Sequence, residues 1–479
     1  MLLVAVVAVP LAGALAAYLD RSPARRAWWL IACAVLHLGG VALAWRAGPD
    51  LHASRWLAFD PLGGLVLTLV SVVFLAVAFY SRGYLRHEDP RGGRAYVSCL
   101  LVFLAAASAV SLTHQFGLLW VGMEATTLAT APLIYDPHDR RSLEAVWKYL
   151  LVCSVGIALA LLGTFFLAMA QVAGGAGGRP LVLDDLIASG ALLHPAWLRA
   201  GFVFLLVGFG TKMGLVPMHT WLPDAHGEAP SPVSALLSGA LINLAFLAIL
   251  RGFQVVRAAG ETEFARPLLI GFGVLSLAVA AAFLVHQVDY KRMLAYSSIE
   301  HMGILAIGVG LAGVASYGAL FHMIGASLAK ALLFLAAGNV LAAYGSKRTR
   351  DVTGLMRVRP LTGMLLVAGL FAITGSPPFA PFLSGLILIT GAFHQHHPWI
   401  AGVMLVLHSL VFIAMSATVL GMALGEPAAG APAPAHEDPW RVLPPLALLA
   451  LVAFLGLYLP AAFHQALAAG ASALGGAAP

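Results

Sequence analysis

The stretch TKMGLVPMHTWLPDAHGEAPSP, residues 211–232, sets a lysine at the end of one apolar run, breaks that run with proline, and leads within a few residues into another. Inside lipid a lysine and a helix-breaking proline are each costly, so their coincidence marks a place where the chain needs both. The surroundings make that cost real. Of 479 residues 61% are hydrophobic and 10% charged, with a mean hydropathy of +0.91, whereas soluble domains carry about 25% charged residues. Apolar segments of about 17 to 25 residues, long enough to cross a bilayer, recur along the whole length. The expected fold is an all-α integral membrane protein with about fourteen transmembrane helices and no soluble domain. The spans start near residues 2, 27, 61, 95, 115, 145, 200, 230, 266, 293, 316, 361, 399 and 442.

The loops give an orientation. Of 27 Lys and Arg residues, eighteen fall in loops after odd-numbered spans, and seven on the other side: Arg46, Arg55, Arg179, Arg199, Arg251, Arg257 and Arg266. By the positive-inside rule the odd loops are cytoplasmic, and both termini lie on the outer, periplasmic side of an inner membrane. The net charge of +6 is mostly this signal, and no nucleic-acid surface follows from it. The opening MLLVAVVAVP has no basic flank and reads as a first membrane helix rather than a signal peptide. Cys33, Cys99 and Cys153 stand singly in different spans, without the paired spacing of a cluster or zinc site.

Glycine-rich VAGGAGGR (172–179) and proline-rich EPAAGAPAPAHEDP (426–439) read as flexible loops. Two spans are interrupted. The seventh breaks at Pro217 and the twelfth at GSPPFAPF (375–382), around Pro377 and Pro378. Interrupted helices five spans apart point to two five-helix repeats, and the odd repeat length makes them inverted.

Two basic residues belong to no loop, Lys212 and Lys330. A lysine at the centre of a membrane helix costs about 2.5–3.5 kcal/mol, so each needs compensation. Glu124, in WVGMEATTLAT, is the acid well inside the first half and the natural partner of Lys212. A pair that keeps both ionised, and lets the lysine release its proton when separated, is a switch; a static ion pair between two helices is the plainer reading. Lys148 in EAVWKYLL either snorkels to the surface or joins a pathway. In LFHMIGASLAKALLF, His322 and Lys330 share the eleventh span, with Ser327 one turn from the lysine. Histidine and a tuned lysine can pass protons through water. His219, Asp224, His226 and Glu228 match no zinc spacing, and a structured turn with Asp224 capping a helix or pairing with a basic loop is expected instead.

On these residues the chain resembles the antiporter-like membrane subunits shared by respiratory complex I, Mrp-type cation/proton antiporters and membrane-bound hydrogenases. The resemblance is carried by WVGMEATTL, AVWKYLL, TKMGLVPMHTWLPDAHGEAPSPVSALLSG, DYKRMLAYSSIEHMG, AKALLFLAAGN and GSPPFAPF, over roughly residues 110–420. Within that family WVGMEATTLATAPLIY looks most like component F of hydrogenase-4. The resemblance implies two inverted repeats and a proton path through Glu124, Lys148, Lys212, His322 and Lys330, and His219 and Asn243 are expected on the same path. It divides one membrane domain (1–479) into helices 1–4 (1–112), a first half-path (113–252, helices 5–8), a second half-path (253–425, helices 9–13), and a loop with the C-terminal helix (426–479). Two positions depart from it: Asn243 and Gly385 stand where relatives commonly carry charge. An amide orients water but carries no net proton, and glycine does neither. His394, His396 and His397 are candidates to replace the missing outer relay.

Moving one proton against about 100 mV costs roughly 2.3 kcal/mol. The chain shows no nucleotide loop, flavin fingerprint or cluster ligand set, so no cofactor is expected and an external driver is. The leading expectation is a proton-translocating membrane subunit of a complex-I-like or hydrogenase-type oxidoreductase complex. Its expected partners are other antiporter-like and anchor subunits, the lipid bilayer, and peripheral iron-sulfur subunits on the cytoplasmic side. The alternatives are a cation/proton antiporter, an ion-gradient-driven inorganic-carbon uptake module, and a scaffold whose path has decayed at Asn243 and Gly385.

Overall fold

The computed structural model describes every residue except 49–50, 88–91, 136–138, 176, 286 and 429. The loop cation Arg91 lies outside the described residues. The helices are α1 Leu2–Leu19, α2 Pro23–Ala47, α3 Pro61–Tyr84, α4 Gly92–Leu112, α5 Phe116–Ile134, α6 Arg140–Ala173, α7 Leu183–Ala188, α8 Pro195–Met213, α9 Trp221–Glu228 and α10 Ser231–Leu236. They continue as α11 Ile242–Ala258, α12 Thr262–Leu284, α13 Tyr290–Leu311, α14 Val314–Tyr344, α15 Leu355–Val358, α16 Pro360–Ile373, α17 Ala380–His394, α18 Pro398–Ala423, α19 Pro439–Leu457 and α20 Ala461–Ala473.

Among the described residues thirteen helical units are long and apolar enough to cross a membrane, with α8–α9 and α10–α11 each counted as one. The shorter apolar helices α16 and α17 follow in tandem and make a fourteenth. Each is too short to span alone because the chain breaks between Thr374 and Phe379. The expected number of spans and both expected breaks are therefore present. The breaks lie in the seventh and twelfth units, which cross in opposite directions.

Burial separates the units by role. The apolar windows of Ser231–Ala258, α13 and α14 are 100% buried, whereas that of α18 is 22% buried. Helices buried all round form the centre of a bundle, and those with one exposed apolar face form its lipid-facing wall. The central three units carry Asn243, Glu300, His301, His322 and Lys330, all buried. Between α10 and α11 the helix widens into a π turn, Leu237–Leu241, a device found mostly at functional sites.

Close helix contacts rest on small residues, as is usual in lipid. On α8, a Cβ added to Gly208 would lie 2.5 Å from the backbone nitrogen of Ala160 on α6. The end of the proline-rich segment, residues 430–439, is tied rather than free. Glu437 accepts from the Leu361 and Thr362 amides at the start of α16, at 2.8 and 3.0 Å. Asp438 caps α19 through the Trp440 amide at 3.0 Å.

Candidate functional site: a buried polar file

Helix α8 ends beside the lysine. Gly214 takes the left-handed conformation (φ 87°) that closes helices and that residues with a Cβ disfavour. The chain then turns through Leu215–Pro217 into α9. The backbone groups freed by the break find partners: Val216 N–H donates to Ser276 Oγ (3.0 Å), and Trp221 Nε1–H donates to the Thr211 carbonyl (2.8 Å). Irregular backbone at membrane depth is tolerated on that condition.

Lys212 is 0% exposed. Its ammonium donates to the Met123 carbonyl, to Thr126 Oγ1 (2.8 Å) and to Thr127 Oγ1 (2.5 Å), all on α5. An ammonium has three donors, and all three are used. The expected direct ion pair with Glu124 is thus replaced by an indirect one. Thr127 Oγ1 lies 3.4 Å from Glu124 Oε2, and Ser154 on α6 donates to Glu124 Oε1 at 3.3 Å. The reason is helical: successive residues project about 100° apart, so the face offering Thr126, Thr127 and the Met123 carbonyl to α8 turns Glu124 towards α6.

At one end of the bundle a cavity of about 1110 Å³ gathers the charges of the odd-numbered loops. Lys148, 48% exposed, pairs there with Glu144 (2.7 Å) and Asp224 (3.0 Å). Asp224 also pairs with Arg292 (3.0 Å), and Glu228 with Lys347 (2.7 Å). Lys148 therefore stands at the polar mouth, and both acids of the opening motif are engaged in ion pairs with basic residues. Just below, His226 is 0% exposed, stacks on Phe334 at 4.8 Å, and has no protein partner for either ring nitrogen among the described residues. His219 lies half-buried at the break with Nδ1 likewise unpartnered.

Polar groups continue across the centre. Ser238 and Ser298 hydrogen-bond at 2.7 Å beside the π turn. Asn243 Nδ2 donates to Ser327 Oγ (2.8 Å) and to the Gly239 carbonyl (3.0 Å), and Lys330 donates to the Leu294 carbonyl (3.0 Å). Beyond it His301 Nδ1 meets His322 Nε2 at 2.9 Å, and His322 Nδ1 meets Ser384 Oγ at 2.9 Å. His408 on α18 then meets the buried Glu300 on α13 at 2.6 Å.

Sequence reading missed Glu300, His301 and His408. SSIEHMG carries an acid within an apolar span, the same signal that singles out Glu124, so Glu300 was readable. His394 and His396 are exposed at the far end of α17, roughly 13 Å along the helix from Gly385 at about 1.5 Å per residue. The imidazoles beside Gly385 are instead His322 and His408.

The opposite end holds a second cluster. Arg251, expected in a loop, is inside α11, 2% exposed, and bonds both oxygens of Asp60 at 2.8 and 2.5 Å. The eighth span extends further than its hydropathy suggests because this fork pairs with the acid that caps α3. His114 bridges Asp60 and Asp184, at 3.3 Å each. Burial opposes charge on Asp60, but Arg251 and His114 hold its carboxyl well below the usual range. Burial likewise works against the His114 cation, and the two carboxylates overcome it, raising its pKa.

Residues 114–411 match the family described as NADH:quinone oxidoreductase/Mrp antiporter, TM, and the chain belongs to that family. It is 34% identical over 434 residues to the hydrogenase-4 component F homolog of Methylacidiphilum infernorum, covering 88% of this chain and 89% of that one. It is 31% identical over 445 residues to NADH-quinone oxidoreductase subunit N of Desulforudis audaxviator, covering 89% and 87%. In fold it is similar to a chain of the membrane-bound sulfane sulfur reductase, an archaeal respiratory membrane complex. That likeness has a TM-score of 0.87 at 21% identity and covers 98% of this chain and 97% of the other. The chain is a multi-pass membrane protein of the antiporter-like type.

Proposed function

We propose that this chain is a proton-translocating membrane subunit of a redox-driven complex of the complex I or hydrogenase kind, located in the inner membrane with both termini on the outer side. The observation that carries the reading is Lys212: a cation 0% exposed, hydrogen-bonded to three oxygens of α5 and one hydroxyl removed from Glu124. A buried lysine held by neutral oxygens responds when a nearby charge moves, because an ionisable group inside the membrane depends on the few polar groups around it. The path runs from the polar cavity at Lys148 past His219 and Lys212, across Asn243 to Lys330 and His322. Asn243 joins the file through its amide N–H, which donates to Ser327 Oγ. The neighbouring groups it serves are antiporter-like and anchor subunits in the membrane and iron-sulfur subunits docked on the cytoplasmic face.

Replacing Lys212 with Ala in the reconstituted complex, with assembly checked on native gels, is the direct test. Electron transfer continuing without proton uptake supports the reading, and unchanged pumping defeats it. Pumping that requires sodium or potassium on the opposite side would favour exchange of cation for proton instead.

A further inference from the structure

The second break leaves the Thr374 carbonyl at the end of α16, and His408 of α18 occupies it: Nε2 lies 3.2 Å from that oxygen. A carbonyl oxygen only accepts, so Nε2 carries a hydrogen. His408 Nδ1 lies 2.6 Å from Glu300 Oε1. With Nε2–H fixed, one further proton is shared between Nδ1 and the carboxylate, as imidazolium with glutamate or as neutral imidazole with glutamic acid. Glu300 is 1% exposed, whereas His408 keeps 29% of its side chain accessible.

A neighbouring chain of bonds has its own direction. Ser384 Oγ donates to the Pro381 carbonyl at 3.1 Å, which assigns the hydrogen between His322 and Ser384 to His322 Nδ1. His322 Nε2 is then an acceptor, filled by His301 Nδ1–H. The last atom, His301 Nε2, is a buried acceptor with no protein partner among the described residues. A proton taken up there lets His301 pass its Nδ1 hydrogen to His322 Nε2, and His322 pass its own from Nδ1 to Ser384 Oγ, provided that hydroxyl turns from the Pro381 carbonyl and gives its hydrogen to water. Each ring gains one proton and loses one.

His322 and His408 are the polar side chains of an otherwise apolar recess of about 180 Å³ between α17 and α18, larger than the roughly 30 Å³ share of one water. Gly385 forms part of its wall, and a Cβ there would touch nothing within 4 Å.

We propose that Glu300 and His408 are the proton-carrying pair of the second half of the file, and that the recess beside Gly385 is where water joins them to His322. This rests on the reading of the chain as a proton-translocating subunit. The groups facing the pair are Ser297, whose hydroxyl donates to Glu300 Oε2 at 3.4 Å, and His301 from α13, His322 and Lys330 from α14, and the Thr374 carbonyl from the end of α16.

Glu300→Gln tests it, since glutamine keeps the size and hydrogen-bonding capacity but cannot carry the proton; His408→Gln is its partner. Purified complexes containing the full chain are reconstituted and given a potassium diffusion potential, and interior pH is followed by dye. Glu300→Gln should lower proton flux on the order of 10²-fold, as Lys212→Ala should. Wild-type flux in Glu300→Gln beside a dead Lys212→Ala overturns the pair and keeps the broader reading. Wild-type flux no greater than empty vesicles overturns the broader reading.

Infrared difference spectra across pH then decide the pair alone. A neutral-carboxyl band that vanishes in Glu300→Gln and shifts in His408→Gln supports proton sharing. A spectrum unaltered by Glu300→Gln overturns it, whether or not His408→Gln assembles.

Discussion

Lys212 and Glu124 face each other across a single hydroxyl, that of Thr127, which lies 2.5 Å from the ammonium and 3.4 Å from the carboxylate. The coupling between the two charges therefore depends on a neutral group that can turn. Thr127→Val keeps the shape and removes the hydroxyl, leaving one buried ammonium donor unpaired. It is expected to destabilise the protein by about 1–3 kcal/mol and to reduce proton translocation towards the Lys212→Ala level. Thr127→Ser should restore both. Thermal stability and proton uptake measured on the same preparations check the pairing of the two effects.

Arg251 and Asp60, 191 residues apart in sequence, make a two-pronged ion pair at the end of the bundle away from the large polar cavity. Truncating one partner of a buried pair leaves an uncompensated charge, at a cost of about 3–5 kcal/mol. Arg251→Ala should therefore lose folded protein, while the double change Arg251→Met with Asp60→Asn should recover much of the loss. Yields of monodisperse protein and melting temperatures of the two variants, compared side by side, give the answer.

The contrast between these two pairs shows what the sequence discloses. Lys212 and Lys330 are legible because a cation in an apolar run has no inexpensive explanation, and the paired breaks at Pro217 and Pro377–Pro378 are legible because proline removes a donor wherever it falls. Fourteen spans follow from length and hydropathy alone. Thr127 is not legible as a bridge, because a threonine in a membrane helix most simply bonds its own backbone. Arg251 sits where hydropathy fades, so it reads as a loop residue until Asp60 is seen beside it. His408, in an apolar run with no acid near it in sequence, gains its role from Glu300 on another helix.

Two glycines with the same residue type should answer oppositely to alanine. At Gly208 a Cβ would press on the α6 backbone at 2.5 Å, and neither helix can move without disturbing the Lys212 site at the end of α8. Gly208→Ala is expected to cost about 1–3 kcal/mol. At Gly385 nothing lies within 4 Å, so Gly385→Ala should be neutral or stabilising by up to about 1 kcal/mol, the usual gain from alanine within a helix. Thermal unfolding of both variants in one detergent tests the prediction, and equal shifts would contradict it.

His114 makes stability depend on pH in a stated direction. Its pKa is raised in the folded protein above the ordinary 6.5, so its contribution is complete below the unfolded value and disappears as pH rises through the folded one. Asp60 and Asp184 have the opposite sense: their carboxyls are held low, so their contribution is present above the unfolded value and fades only as pH falls through the folded one. In the window between, the imidazolium donates to both acids. Above it, a neutral ring has one hydrogen for two carboxylates, and its bare nitrogen faces the other. The melting temperature of the wild type should therefore exceed that of His114→Gln near pH 5 and lose that margin by about pH 9, with Arg251 still holding Asp60 in both. A margin that stayed constant over that range would mean that His114 remains neutral between the acids.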